Sequence, residues 1–315
     1  MKCPLTFRLA QSGDFNAIVR LSEGIYNGHD YLPFTFHKWL QRDDLTVLLA
    51  YSGDKLVGLE ACFVVDEGRT FIRRAERILA ELRGQGLVRQ LREYARKYVR
   101  EHFPSLQWER FMVGFDKVGS QDQTELLEYD VLSYEVTENS FSQAIISMNE
   151  SNAGEISLCS TEYLSDVILT QPTRGKLFPK NVLVINSCPF EPNPANIDRM
   201  LQECSEILVE KCADGVLPRS ISFGTFSPRV KCVHWRISVY TEDPALFKAH
   251  VFYQFKRACE LIRGDFIFVS FQDKSLTKLT RKAMEEQLQL KECDSDYSNK
   301  TMKLYERDFT RYQIN

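Results

Sequence analysis

The sequence predicts an α/β (α+β) chain built in two halves, and three observations predict it. A hairpin of two apolar, β-branched strands is followed by a third strand, which together make a sheet. The glycine turn Arg83-Gly84-Gln85-Gly86 then joins that last strand to a long basic helix and a further strand. After residue 180 a β-α-β-α-β order repeats the strand, helix and strand around the turn, without its glycines.

The elements follow in order. Phe7 to Leu9 reads as a short strand and Asp14 to Glu23 as a helix that Ser12 or Asp14 can cap. Thr35 to Gln41 reads as a second helix. Leu45 to Tyr51, the turn Ser52-Gly53-Asp54 and Lys55 to Val65 form the hairpin. Thr70 to Leu79 is the fourth strand, Leu87 to about His102 the long helix, and Gln107 to Phe115 the fifth strand. Gln171 to Lys180 is rich in loop residues, and Asn181 to Asn186 reads as a strand. Pro194 to Cys212 is expected to be an amphipathic helix with Ile197, Leu201, Ile207 and Leu208 along one side. Lys231 to Tyr240 (strand), Pro244 to Arg263 (helix), Phe266 to Phe271 (strand), Ser275 to Leu288 (helix) and Met302 to Phe309 (strand) complete the chain. This order divides it into domains at 1–140 and 181–315, with a connection at 141–180.

Composition excludes several classes of function. The net charge is −3 with both signs interspersed, so no basic field selects nucleic acid. No stretch approaches the roughly 18 apolar residues of a membrane span, and the first residues lack an apolar signal core. A soluble, cytoplasmic protein is expected. The nine cysteines include no C-x-x-C pair, and the histidines are not at metal-ligand spacing from them along the chain. Buried thiols in a reducing compartment and no metal are therefore expected. Nothing in the sequence sets the oligomeric state.

A glycine turn opening a helix presents unpaired N–H groups and the positive end of the helix dipole to one point, which suits an anion such as a pyrophosphate. The dinucleotide fingerprint and the Walker loop are both absent. The segment resembles the acetyl-CoA loop of the GCN5-related N-acetyltransferases (GNAT), Q/R-x-x-G-x-G/A. Arg83 stands at the first position and Gly86 at the first glycine, and Val88 departs from the usual Gly or Ala. The element order over about 140 residues is also similar to that superfamily. Its fold, implied here by the resemblance, is a mixed, mostly antiparallel central sheet, followed in this chain by a degenerate GNAT-like second half. Tyr240-Thr241-Glu242-Asp243-Pro244 replaces the glycines there, and its carboxylates would repel a pyrophosphate. The segment Gly24 to Leu40, with Arg77-Ile78-Leu79, resembles the vertebrate histidine N-acetyltransferase (N-acetyltransferase 16-like) group. The resemblance implies acetyl transfer from acetyl-CoA to the α-amine of free L-histidine. Other amines, a peptide N-terminus, or a non-catalytic CoA-binding role are the alternatives.

The resemblance also implies site residues. Arg83, Gly84, Gln85, Gly86, Leu87, Val88 and Arg89 would hold the cofactor phosphates, with Ile78 pairing the pantetheine arm. The backbone N–H of Leu79 would face the thioester oxyanion. An α-ammonium must lose a proton before attack, and Glu76, or else Glu60, is the candidate base. Tyr129 or Tyr134 would protonate the leaving thiolate, and either can equally be a core aromatic. Arg77 is the candidate partner of the substrate carboxylate, beside Arg73 and Arg74. Asp30 would accept from an imidazole N–H and Tyr31 stack on the ring. Alternatively, Asp30 caps the next turn while Tyr31 staples it to the core. The basic helix from Arg89 to Arg100 is expected to present a solvated face.

Overall fold

A computed structural model of the chain describes residues 5–114, 122–138, 140–141, 156–293 and 300–311. Strands β1 (Leu5–Leu9), β2 (Leu45–Ser52), β3 (Lys55–Val65) and β4 (Thr70–Ile78) form an antiparallel meander. Helices α1 (Phe15–Leu21) and α2 (Leu32–Trp39) bridge β1 and β2. Helix α3 (Leu87–His102) crosses from β4 to β5 (Trp108–Gly114), which runs parallel to β4. Next in the chain come β6 (Thr124–Val136), β7 (Ile156–Leu158), the small hairpin β8 (Leu183–Ile185) and β9 (Cys188–Phe190), and β10 (Glu206–Glu210). β11 (Ile221–Ser227) and β12 (Val233–Tyr240) are antiparallel, and the helix Pro244–Leu261 leads to β13 (Phe266–Asp273), parallel to β12. The chain closes with β14 (Lys291–Glu292) and β15 (Lys300–Asp308). Each half thus holds an antiparallel pair followed by a parallel crossover over a long helix, the repeat read in the sequence.

One sheet runs through both halves in the order β1-β2-β3-β4-β5-β15-β6-β13-β12-β11-β10-β7. Its order does not follow a division at residue 140. β6, from the first part of the chain, pairs antiparallel with β13, and the C-terminal β15 inserts between β5 and β6. Each half therefore completes its sheet with a strand from the other. The 141–180 connection is also more than a loop. β7 pairs with β10 at the sheet edge, and Leu164, Ile168, Leu177 and Phe178 enter a core shared with Ile18, Phe36, Leu49 and Phe63. A second core, around Trp235, Phe247, Phe255 and Phe268, lies under the helix Pro244–Leu261.

One other expectation is corrected, and two strands go unread in the sequence. The helix expected to reach Cys212 stops at Glu203, and Glu206–Glu210 is a strand paired on both sides. Its run Ile207-Leu208-Val209 is buried throughout, which is the pattern of an inner strand and mimics a helical stripe over so short a distance. Strand β11 is missed because Gly224 interrupts it; a Cβ there would lie 2.1 Å from Gln254 Oε1. The 13 residues of β6 alternate too weakly, TELLEYDVLSYEV, to read as a strand. Phe115, the expected end of the fifth strand, lies outside the described residues.

Candidate active site

β4 and β5 pair only through Thr70, Phe71 and Ile72, after which they separate. A cleft of about 790 Å³ opens where they part. Its walls include Arg73 to Arg77 of β4, Phe111 to Gly114 of β5 and Lys300 to Met302 of β15. Asn186, Ser187, Arg229 and Arg236 of the second half close it. That volume suits a small ligand and the reactive end of a larger one. A bulge makes the splay: the β3–β4 register shifts between Leu59 and Ala61, and Ala75 adopts φ 52°.

The bulge leaves Glu60 without a partner across the β3–β4 ladder and turns it into the cleft, fully buried. Arg73 Nη1 donates to its Oε1 at 3.4 Å, while Oε2 has no hydrogen-bond partner among the described residues. Burial pushes the carboxyl up to about 7, with Arg73 opposing and Glu76 reinforcing the rise. Glu76 is placed differently. Arg92 of α3 grips it through two hydrogen bonds at 2.5 and 3.0 Å, and Arg73 lies 3.6 Å away. Glu109 on β5 sits in the same arginine network, held by Arg73, Arg96 and Arg307. Burial alone would raise its pKa, and the three guanidiniums bring it below the ordinary value. The basic face of α3 is therefore not all solvated: Arg92 and Arg96 turn inward to carboxylates.

The other expected acceptor residues pair with each other. Arg77 donates to Asp30 at 2.8 and 3.2 Å and to the Tyr26 hydroxyl at 3.1 Å. Both Arg77 and Asp30 are buried, and Asp30 also accepts from the Leu32 N–H at 3.2 Å. A bidentate buried pair engages the clamp expected of Arg77 and the acceptor expected of Asp30. Tyr31 does line the cleft, with Arg229 stacked 4.9 Å over its ring. Arg236 lines it too, donating to the Ser187 hydroxyl at 3.0 Å.

The glycine turn is exposed at the start of α3. Gly84 and Gly86 have φ +74° and +81°, a left-handed backbone that favours glycine, and among the described residues no side chain caps the helix. Arg83 Nε donates to the Ile78 carbonyl, and Arg89 is exposed beside Glu93. Leu87 packs inward, while Gln85 stays outside and Val88 is half-buried. In the second half the corresponding helix start is capped: Asp243 accepts from the N–H groups of Ala245 and Leu246. Its carboxylate occupies the place an anion would take.

Two expectations for the chemistry meet other arrangements. The Leu79 N–H donates to the Val57 carbonyl at 3.0 Å, so it closes the β3–β4 ladder rather than facing the cleft. Alternation along β4 turns the Ile78 N–H to the open edge instead. Tyr129 and Tyr134 lie in hydrophobic cores and not among the residues lining the cleft. Tyr129 bonds Tyr240, and Tyr134 donates to Glu285 at 3.1 Å. Among the described residues, the tyrosines that line the cleft are Tyr26 and Tyr31. Sequence reasoning missed Arg229 and Arg236, because only the fold brings β12 and its preceding loop to the first half. Among the described residues no helix is long and apolar enough to cross a membrane.

The family model described as "Histidine N-acetyltransferase, C-terminal" matches residues 151–273. A histidine N-acetyltransferase of Scomber australasicus is 26% identical over 293 residues, covering 87% of this chain and 86% of the relative. One of Xenopus tropicalis is 35% identical over 127 residues, 40% of this chain and 38% of its own. Among solved structures, a tandem GNAT protein from the clavulanic acid biosynthesis pathway superposes with a TM-score of 0.60 at 10% identity, covering 98% of this chain and 100% of that one. A GCN5-related N-acetyltransferase from Sphaerobacter thermophilus gives 0.59 at 11% identity, covering 97% and 96%. The GNAT fold expected from the sequence is the fold of these neighbours.

Proposed function

We propose that this chain, an N-acetyltransferase of the GCN5-related superfamily related to the histidine N-acetyltransferases, transfers acetyl from acetyl-CoA to the α-amine of free L-histidine, giving N-acetyl-L-histidine and CoA. The observation that carries this reading is Glu60, a buried carboxyl pushed up to about 7 with one oxygen unpartnered, in a cleft lined with arginines from both halves.

The residues then divide the work. The turn Arg83 to Arg89, with the uncapped start of α3, holds the phosphates of acetyl-CoA, and the open edge of β4 at Ile78 pairs the pantetheine arm. Ionised Glu60 accepts a proton from the α-ammonium, directly or through one water. The amine then attacks the thioester carbon, and the Ile78 N–H stabilises the oxyanion, a contribution of roughly 3 kcal/mol for such a donor. The C–S bond breaks, the thiolate takes a proton from Tyr26, whose oxygen already accepts from Arg77, and the second proton of the attacking nitrogen passes through water to restore the Tyr26 hydroxyl. Arg236 holds the substrate carboxylate and Tyr31 lies against the imidazole.

The test compares L-histidine with histamine, which lacks the carboxylate, and with histidine amide, using CoA release. L-Histidine is expected to exceed both by tenfold or more in kcat/KM. Arg236→Gln is expected to raise the KM for L-histidine at least tenfold and leave the KM for acetyl-CoA within twofold. Equal rates on histamine and histidine would refute the carboxylate site.

A further inference from the structure

Behind Tyr31 the two halves meet at a cluster that the chemistry above does not use. His29, from the turn before α2, faces Cys232 and His234 from the start of β12. The spacing of cysteine and histidine along the chain predicts no metal, but Cys232, just before β12, and His234 within it both bring a ligand atom to His29. His29 Nδ1 lies 3.1 Å from His234 Nε2 and 3.8 Å from Cys232 Sγ, and all three ligand atoms fall within 4.8 Å of one another. Nitrogen ligands 2.0–2.1 Å from a tetrahedral zinc stand roughly 3.3 Å apart, and a nitrogen and a thiolate roughly 3.6 Å apart. His29 and His234 are buried and Cys232 is half-buried, so water can reach the cluster from the cysteine side.

We propose that His29, Cys232 and His234 form a zinc site that fastens the acceptor turn of the first half to the second half. Zinc takes both imidazoles as neutral ligands and displaces the Cys232 thiol proton to solvent, and a water completes four-coordination. The surroundings are already fixed in place. The Val230 N–H donates to the Asp30 carbonyl at 3.1 Å, the Lys231 N–H to the Gly28 carbonyl at 2.9 Å, and Arg229 Nη1 to the His29 carbonyl at 3.0 Å. Arg229, Lys231 and Arg236 bring positive charge near the cluster, of which the single thiolate offsets only a part. A soft thiolate with two imidazoles selects zinc over magnesium or calcium. Because its ligands come from positions 29, 232 and 234, the ion would act as a cross-link between distant parts of the chain and not as a centre of the acetyl transfer.

The experiment uses the full chain, stripped with a chelator, dialysed and titrated with zinc chloride. One zinc per chain is expected by elemental analysis, with a melting temperature raised by roughly 5 °C at zinc a hundredfold above its Kd. Cys232→Ser and His234→Ala are expected to lose the bound zinc and the shift, while Cys212→Ser keeps both. Cobalt replaces zinc as a second measurement on the unmodified chain, and a thiolate-to-cobalt charge-transfer band is expected. Absence of that band together with no stoichiometric zinc, or zinc retained in full by both ligand variants, would overturn the site.

Discussion

A carboxyl group buried beside one arginine and near two other carboxylates ionises late, and at Glu60 this has consequences for both rate and stability. As the proposed base, Glu60 would work only when ionised, so kcat is expected to rise with pH through about 7 and level off above it. Glu60→Gln removes that rise and lowers kcat by roughly 10²- to 10⁴-fold. Stability runs the other way. The folded carboxyl titrates near 7 and the ordinary value is 4.5, so the stability it contributes is complete below 4.5 and is lost as pH rises through 7. A permanently neutral glutamine is therefore expected to melt above the wild type at pH 8 while turning over far more slowly. A variant that lost activity and stability together would show Glu60 to be structural. Glu60 was within reach of sequence reasoning as a strand carboxylate, but nothing in the sequence placed it above Glu76. The bulge at Ala75 and the pairing of Glu76 with Arg92 are what favour Glu60 in the proposed mechanism, and both are tertiary facts. The same limit applies to Asp30 and Arg77, each legible as a polar residue near the acceptor and neither legible as the other's partner.

At the scale of elements, the start of α3 and the start of the helix Pro244–Leu261 are the same device in two states. One has a left-handed glycine and no capping side chain, and the other is filled by Asp243. Gly86→Val would force a β-branched residue into φ +81° and crowd the turn. It is expected to raise the KM for acetyl-CoA at least tenfold. Asp243→Ala removes a cap, costing about 1 kcal/mol in urea unfolding, and leaves that KM unchanged. Loss of acetyl-CoA affinity in the second variant instead would place the cofactor at the other half. These two turns were readable because glycine and capping carboxylates act locally. β10 and β11 were not, because a buried three-residue apolar run and a glycine-broken strand take their identity from neighbours far away in the chain.

Across the whole molecule, the exchange of β6 and β15 makes the halves inseparable. β15 pairs with β5 and β6 and brings Lys300 to Met302 to the cleft, so a chain shortened to end at residue 299 exposes two strand edges and opens the site. Such a chain is expected to aggregate and to show no turnover, as is a fragment of residues 1–140, which lacks both that strand and the Arg229 and Arg236 wall. A soluble, active fragment would contradict this architecture. The repeat of strand, helix and strand was visible in the sequence because each crossover is local. The strand exchange was not, since nothing in the sequence of β15 says which half it completes. The function proposed here depends on the composite cleft, and its most direct test is CoA release from acetyl-CoA by the purified chain against a panel of free L-amino acids, histamine, polyamines and peptides. Turnover concentrated on L-histidine, with N-acetyl-L-histidine as the product by mass spectrometry, is the result expected. Turnover that favours peptides or polyamines, or none with L-histidine despite bound acetyl-CoA, would contradict it.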